Sequence, residues 1–157
     1  MLDNTLRTAS DTRQDMVAFR VADQDFCIDI GMVREIRSWS ETTFLPHAQP
    51  YVKGVINLRG AVVAVIDLAA RLGLGTTQED PRNVIIIAQV ENQTVGLLAD
   101  HVADILPVPP EAIKPMPDVA AEEAKAFITG LVTLDDNRLL RKLDLTRILP
   151  DAKSIAR

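Results

Sequence analysis

The sequence predicts a mainly β fold in which two small barrels, each of roughly five strands, are related by a pseudo-twofold axis. Two observations support this prediction: short runs rich in β-branched residues alternate with turn residues, and one order of features occurs twice along the chain. With 47% hydrophobic and 25% charged residues, the 157-residue chain has the composition of a globular protein with a well-formed core. Helical signals are few and short.

Four hairpins form the framework of this prediction. Each consists of two apolar strands around a short polar turn, and the turns are Ala22 to Asp25, Arg59-Gly60, Glu91 to Gln93 and Asp135 to Asn137. Gly, Asn and Asp suit such turns because they tolerate a positive φ or bond their own backbone. We therefore expect these hairpins to supply most of the strands.

The hairpins belong to two copies of one pattern. Gln24 to Ile28 leads to Val33 to Ile36, and Gln93 to Leu97 leads to Val102 to Ile105 at the same spacing. In each half, a connection containing proline then leads to an aromatic-x-x-Gly motif, a hairpin and an Asp-Leu pair. Two copies of one strand order indicate two barrels that are built alike.

The predicted organisation is one domain between two short tails. Residues 1–15 are expected to form a flexible N-terminal tail and 151–157 a C-terminal tail, around a domain at 16–150. Within this domain, the first lobe covers about 16–72, a polar linker about 73–83 and the second lobe about 84–150.

Two short helical segments complete the predicted elements. Asp118 to Phe127 begins with a capping residue and has glutamates in its early turns. The segment after Asp67 is capped by that carboxylate and ended by Gly73. Asp67 and its counterpart Asp144 could alternatively be paired functional carboxylates, but N-capping explains both positions at once.

Charge and composition exclude several classes of function. The formal net charge is −5 and the pI is near 5.0, which argues against binding to nucleic acid or to an anionic membrane surface. The single cysteine, Cys27, cannot form an intramolecular disulfide and is expected to be buried. The first fifteen residues do not resemble a signal peptide, and the apolar runs are far shorter than the roughly 20 residues of a membrane helix. A cytoplasmic protein is therefore expected.

The sequence offers little chemistry for catalysis, so a non-enzyme without metal or cofactor is predicted. His47 and His101 lie in different halves, and neither has a second ligand at helical spacing. Gly73 to Thr77 lacks the lysine and the glycine spacing of a phosphate-binding loop. An enzyme or small-ligand sensor stays open as an alternative, in which His101 would act with Asp100 or Asp104 inside a cavity.

The most specific segment runs from Pro50 to Gly60. Its Asn57-Leu58-Arg59-Gly60 turn, followed by Val62 to Leu68, resembles the signature of the CheW family of bacterial chemotaxis coupling proteins. Further matches occur in the family's order, and they are Ile28 to Ile30, Val33 to Ile36, Val95 to Leu97, Asp100 to Ile105, Lys114 to Pro117 and Phe127 to Gly130. The resemblance covers about Asp15 to Leu149, nearly the whole chain.

The resemblance implies both a fold and a role. The fold would be two SH3-like five-stranded β-barrels, in agreement with the duplication. The role would be that of a non-catalytic scaffold that joins methyl-accepting chemotaxis receptors to the CheW-like regulatory domain of the histidine kinase CheA. Such a protein would lie in the cytoplasm and reach the membrane only through receptor arrays. An adaptor of a sister chemosensory pathway, for example one that controls pili, is an alternative of the same class.

The resemblance also assigns candidate residues. Glu35 and Arg59 would belong to a receptor-contacting groove between the lobes and would pair across its rim. The complete receptor-binding set is Glu35, Ile36, Asn57, Arg59, Gly60, Val102 and Ile105. Val33 and Gly54 map to positions that contact the kinase or another partner.

Two features distinguish the halves. The counterpart of the arginine turn, Thr133 to Asp136, keeps a turn but has no arginine, which indicates that Arg59 serves recognition rather than folding. In the last strand, Arg141 and Lys142 interrupt an apolar run. We therefore expect this strand to be a sheet edge or an altered interface, or to follow a bulge.

Overall fold

The strands follow the predicted hairpins closely. A computed structural model describes residues 14–117 and 126–149. In these residues, the strands are β1 Gln14–Val21, β2 Gln24–Asp29, β3 Val33–Ser38, β4 Val52–Leu58, β5 Ala61–Asp67, β6 Val84–Val90, β7 Gln93–Ala99, β8 His101–Val108, β9 Ile113–Lys114, β10 Ile128–Thr133 and β11 Leu139–Leu143. The short α-helices are α1 Leu68–Arg71 and α2 Leu145–Ile148, and single 3-10 turns lie at Ile30–Met32 and Pro110–Ala112. Most of the helix predicted at 118–127, and nearly all of both predicted tails, lie outside the described residues.

The described strands form two sheets. The five-stranded sheet has the order β3-β6-β7-β5-β4 and is called the central lobe, because its strands come from the middle of the chain. The six-stranded sheet has the order β8-β1-β2-β11-β10-β9 and is called the terminal lobe. The prediction of a mainly β fold with two strand units and a few short helices is confirmed.

The two lobes exchange their first hairpins, so the predicted contiguous lobes at 16–72 and 84–150 are wrong in strand membership. Hairpin β1–β2 lies in the terminal lobe, and hairpin β6–β7 lies in the central lobe. The cause is the short connection after each hairpin: the 3-10 turn Ile30–Met32 and the single residue Asp100 carry the chain directly into the other sheet. The exchanged strands are held by the parallel pairs β2–β11 and β5–β7. The first strand also begins at Gln14, inside the predicted tail.

The duplication is confirmed by the pairing register. Val33 lies opposite Ala88 in the central lobe and Val102 lies opposite Phe19 in the terminal lobe, and both pairings then shift register at the next step. A second register shift follows Val52 in β4 and Ile128 in β10. Each position in one lobe therefore has a definite equivalent in the other.

Three apolar clusters hold the fold together. The largest lies between the lobes and includes Phe19 and Phe26 from the terminal lobe with Ile86 and Leu97 from the central lobe. This inter-lobe cluster is larger than the two barrel interiors taken together, which we call the central-lobe cluster and the terminal-lobe cluster. The lobes therefore share most of their core, and their relative placement depends on apolar burial.

Strand β11 is not a sheet edge, so that expectation for Arg141 and Lys142 is wrong. It lies between β2 and β10 in the terminal lobe. The Arg141 guanidinium lies 5.6 Å from the centre of the Phe26 ring and donates a hydrogen bond of 3.3 Å to the Asp25 carbonyl. Lys142 lies beside Cys27 in the register and is only partly buried. Long cationic side chains fit here because their stems cover apolar surface while their charges reach polar groups.

Candidate functional site

The predicted arginine turn adopts a strained backbone conformation. Arg59 and Gly60 form the two-residue loop between β4 and β5, with φ angles of 50° and 89°. This left-handed pair is the geometry of a type I′ hairpin turn, which favours Asn and Gly rather than arginine. The Asn57 side chain supports the turn, because its Oδ1 accepts a hydrogen bond of 2.8 Å from the Gly60 N–H. Ala22 and Glu91 have similar φ angles of 51° and 56° in the other hairpin loops, so the conformation follows from the turn, and a role of Arg59 in recognition stays a prediction.

Glu35 brings two arginines together. Its carboxylate accepts hydrogen bonds from Arg59 and, at 3.3 Å, from Nη1 of Arg37. Glu35 belongs to β3 and Arg59 follows β4, and these strands are the two ends of the five-stranded order. The ion pair therefore joins opposite edges of the central lobe, which requires the sheet to curl into a barrel. The predicted pairing of Glu35 with Arg59 is confirmed.

The group formed by Glu35, Arg37 and Arg59 carries a net positive charge, although the whole chain has a net negative charge. The hydrogen bond from Arg59 is the main cause that holds the pKa of Glu35 below its ordinary value, so the carboxylate is ionised at neutral pH. Two arginines and one glutamate leave a formal charge of +1 on a chain of net charge −5. The Arg59 side chain is 71% exposed and that of Glu35 is 27% exposed, so the arginine forms the outer part of the group.

Four apolar candidates occupy equivalent positions on two edge strands. Val33 in β3 and Val102 in β8 are partly buried against the inter-lobe cluster. Ile36 and Ile105, three residues further along the same strands, are 39% and 50% exposed. The structure thus places Glu35, Arg59 and Ile36 on the central lobe, and Val102 with Ile105 on the equivalent strand of the terminal lobe. That these residues line one groove stays a prediction.

Packing explains why residue 54 is a glycine. It is buried, and a Cβ atom there would lie 2.4 Å from the carbonyl oxygen of Thr43. The same strain occurs at the equivalent Gly130, where a Cβ would meet the Lys114 carbonyl at 2.7 Å. The repeated aromatic-x-x-Gly motif is therefore needed for close approach of a neighbouring chain segment. A role of Gly54 in partner binding stays a prediction.

The aromatic residues of the same motif are joined by an arginine that the sequence reasoning missed. The Arg71 guanidinium lies 4.2 Å from the centre of the Tyr51 ring and 5.0 Å from that of Phe127. It also donates hydrogen bonds to the carbonyls of Arg147 at 2.9 Å and Ile148 at 3.0 Å, at the end of α2. Arg71 thus connects the two halves of the duplication. In the sequence, only the matching positions of Tyr51 and Phe127 in the two halves pointed to this contact.

The repeated aspartates are N-caps, as predicted. Asp67 accepts hydrogen bonds from the Ala69 N–H at 3.1 Å and from the Thr77 N–H at 3.0 Å. Asp144 accepts one of 3.1 Å from the Thr146 N–H. Asp67 is buried whereas Asp144 is partly exposed, so only the first cap also ties the polar linker to the core.

The two carboxylates that the alternative hypothesis assigns to His101 each accept a hydrogen bond from the backbone. His101 lines an open cleft of about 340 Å³ together with Arg20 and Asp100. The Asp100 carboxylate accepts a hydrogen bond of 2.9 Å from the Ala22 N–H, and that of Asp104 accepts one of 2.8 Å from the Ile105 N–H. Both carboxylates are thus used by the backbone. Within residues 14–117 and 126–149, no group of three or more His, Cys, Asp or Glu side chains is placed to hold a metal ion.

The comparison with known proteins decides the family. The family model described as CheW-like domain matches residues 15–153. The chain belongs to the CheW family. It is 42% identical over 149 residues to the chemotaxis protein CheW of Rhizobium meliloti, with 95% of this chain and 96% of the relative covered. It is 44% identical over 143 residues to the probable chemotaxis protein CheW of Rhizobium etli, with 91% and 92% covered.

A solved structure supports the same assignment for the CheW fold. The crystal structure of the scaffolding protein TtCheW from Thermoanaerobacter tengcongensis matches with a TM-score of 0.81 and 29% identity. The match covers 89% of this chain and 94% of that chain. The resemblance found in the sequence is therefore confirmed, together with the fold and the chemotaxis adaptor class. No helix in the described part of the chain is long and apolar enough to cross a membrane.

Proposed function

We propose that this CheW-family chain is a non-catalytic cytoplasmic scaffold that couples methyl-accepting chemotaxis receptors to the histidine kinase CheA. The family and the chemotaxis relatives support the class of function. The kinase partner would be the CheW-like regulatory domain of CheA. The protein would reach the membrane only through receptor arrays, and its acidic surface does not suit nucleic acid or anionic lipid.

The group of Glu35, Arg37 and Arg59 carries the receptor part of this proposal. It lies beside the exposed Ile36 at the edge of the central lobe. An apolar strip beside exposed charge suits an amphipathic helix, which places apolar residues on the surface and polar residues at its rim. Arg59 would then pair with an acidic residue of the receptor helix, and Glu35 would fix its direction. Ile105 and Val102 would contact the same partner from the terminal lobe.

The first test separates recognition by Arg59 from its structural role. Arg59→Asn suits the left-handed turn but removes the exposed ion pair with Glu35, and because these two effects oppose each other we expect the free energy of unfolding to change by less than about 1 kcal/mol. Receptor binding, measured by co-sedimentation with receptor-bearing membranes and kinase, should weaken about tenfold or more. The matched control is Arg138→Ala, which removes the Arg138–Asp136 ion pair in the equivalent hairpin of the other lobe. Normal co-sedimentation of Arg59→Asn would contradict the proposal.

A charge exchange refines this test. Glu35→Arg combined with Arg59→Glu restores an ion pair in the reverse order, so the fold should be kept. Receptor binding should stay weak, because the exposed charge then has the wrong sign for its partner. Full recovery of binding would show that the ion pair itself matters and that Arg59 makes no direct contact. The kinases and receptors that co-purify with the wild-type chain distinguish the main chemotaxis pathway from a sister pathway.

A further inference from the structure

One arginine joins the two lobes at the edge of the inter-lobe cluster. Arg71 ends α1, which directly follows β5 of the central lobe. Its guanidinium lies 5.0 Å from the centre of the Phe127 ring, in the segment that leads into β10 of the terminal lobe. It also donates hydrogen bonds of 2.9 Å and 3.0 Å to the carbonyls of Arg147 and Ile148 at the end of α2. A side chain of one lobe is therefore held by three groups of the other.

This contact lies where the two copies of the duplication meet. Tyr51 and Phe127 are the equivalent aromatic residues of the repeated motif, and the Arg71 guanidinium lies close to both rings. Arg71 lies four residues after the aspartate that caps α1, and Ile148 lies four residues after the aspartate that caps α2. Ile148 is fully buried in the inter-lobe cluster. The arginine therefore has no cationic counterpart in the terminal lobe, and one guanidinium serves both halves.

The carbonyls at the end of α2 need donors from outside the helix. The last carbonyls of a helix have no intrahelical partner, and an arginine side chain can satisfy them. Arg71 does so from the other lobe, and Arg147, whose carbonyl it binds, has its own charge paired with Asp144 at 3.5 Å. Leu145 and Ile148 of the same helix are buried in the inter-lobe cluster. Arg71 thus fixes the helix through which the end of the terminal lobe reaches the shared core.

Apolar burial and the arginine contribute differently to this junction. Burial is non-directional and roughly proportional to area, so it holds the lobes together with little preference among orientations that bury similar areas. A guanidinium is planar and presents its donors in a fixed fork, so its contacts with two carbonyls and two rings have one favourable geometry. Arg71 is only partly buried, so its charge keeps access to water. The cluster therefore supplies adhesion, and Arg71 supplies direction.

The candidate receptor surface is divided between the same two lobes. Glu35, Ile36 and Arg59 belong to the central lobe, whereas Val102 and Ile105 belong to the terminal lobe. A stiff helix can contact both sets at once only when the angle between the lobes brings both within its reach. An orientation that is fixed before binding also avoids the entropy cost of ordering the lobes on association.

We propose that Arg71 is the positioning residue that fixes the orientation of the terminal lobe relative to the central lobe. Resting on the proposed function, this orientation holds the two parts of the receptor surface ready for one partner helix. Arg71 acts through the lobes and makes no contact with the partner. Its role thus differs from that of Arg59, which pairs with the partner directly.

Distances between spin labels on the two lobes test the proposal in the full-length protein. The labels are placed at Asn92→Cys in the β6–β7 turn and at Glu111→Cys beside β9, both of which are exposed positions. The buried Cys27, whose pKa is raised to about 12 by burial, stays unlabelled. The wild-type junction should give one narrow distance distribution. Arg71→Lys keeps the charge but loses the fork, so it should about double the width of this distribution, and Arg71→Met should widen it further.

Controls separate orientation from stability. Val132→Ala destabilises the terminal-lobe cluster without touching the junction and should leave the distribution narrow. A label pair within the central lobe, Asn92→Cys with Glu41→Cys, should keep one distance in every variant. Phe127→Leu removes the terminal-lobe ring but keeps Arg71, so it should reproduce part of the broadening even if the arginine variants fold poorly. Unchanged distributions in the folded junction variants, or equal broadening in Val132→Ala, would overturn the proposal.

Receptor binding separates this role from the proposed function. Co-sedimentation with receptor-bearing membranes should weaken about fivefold in Arg71→Lys and stay normal in Val132→Ala. Broadened distances with normal binding in Arg71→Lys, while Arg59→Asn binds weakly, would overturn the link between lobe orientation and the receptor. Normal binding of Arg59→Asn as well would contradict the proposed function, and the distances would still decide whether Arg71 fixes the lobes.

Discussion

The two glycines near the candidate site meet different constraints, and this difference can be measured. At Gly54 an added Cβ would press against the backbone of Thr43, whereas at Gly60 there is no neighbouring atom within 4 Å. Gly54→Ala should therefore lower the free energy of unfolding by about 3 kcal/mol, because the backbone of two segments must move apart. Gly60→Ala should cost only about 1 kcal/mol, from its left-handed φ of 89°.

Urea denaturation of both variants tests this comparison. The expected order is wild type, Gly60→Ala, Gly54→Ala. If Gly54→Ala proved as stable as wild type while losing a partner, Gly54 would be a contact residue and its packing argument would be wrong.

Cys27 provides a second test at the residue scale. Burial raises its pKa from 9.0 to about 12, with a smaller opposing effect from Lys142. Because the neutral thiol is favoured in the folded state, its contribution to stability is present below pH 9 and is lost as the pH rises towards 12. We expect no alkylation by iodoacetamide at pH 8 in the native protein and prompt alkylation in urea. Prompt reaction without denaturant would show that this end of the barrel opens readily.

For individual residues, the sequence predicted the conformation of the turn better than the side-chain contacts around it. The strained pair Arg59 and Gly60 could be predicted because a two-residue turn between apolar strands leaves few conformations. The second arginine on Glu35, Arg37, could not, because an exposed cation on an alternating strand is ordinary. Arg71 was missed for the same reason: its aromatic partners come from both halves of the chain.

The helix caps allow a matched comparison at the scale of elements. Asp67 and Asp144 cap equivalent helices, but only Asp67 also binds Thr77, through the N–H at 3.0 Å and the hydroxyl at 2.5 Å. Asp67→Ala leaves buried donors without an acceptor and should lower the free energy of unfolding by about 3 kcal/mol. Asp144→Ala exposes its donors to water and should cost about 1 kcal/mol.

Thermal unfolding of the two alanine variants checks this pair. The conservative change Thr77→Val isolates the link to the polar linker, and it should reproduce part of the Asp67→Ala loss. Equal losses for the two aspartates would mean that the linker contributes nothing to the first cap.

The strands and their hairpins could be predicted from the sequence, but the sheet to which each hairpin belongs could not. Strand positions follow from alternation and turn chemistry, both of which are local. The exchange of hairpins depends on two very short connections, Ile30–Met32 and Asp100, and on parallel pairs such as Ala64 with Val95. A duplicated sequence fits contiguous and exchanged lobes equally well, because equivalent strands present the same pattern to either sheet.

The exchange has a consequence for the whole molecule. Each barrel contains strands from both halves of the chain, and the largest apolar cluster lies between the lobes. Neither half can complete a barrel alone. A partner bound to one lobe therefore acts on a body whose two lobes share one core, and this arrangement would suit the proposed function of holding a receptor and a kinase in fixed relation.

This shared core predicts that both lobes unfold in one transition. The single tryptophan, Trp39, reports on the central lobe, and access to the Cys27 thiol reports on the terminal lobe. In urea, fluorescence and pulsed thiol labelling should give the same midpoint, because loss of either lobe exposes the inter-lobe cluster.

Phe19→Ala removes a ring from that cluster and should lower the free energy of unfolding by about 3–4 kcal/mol while keeping the two midpoints together. The matched change Val132→Ala lies in the terminal-lobe cluster and should cost less, again without separating the probes. Two separate midpoints in the wild type would show that the lobes unfold independently despite the exchanged hairpins.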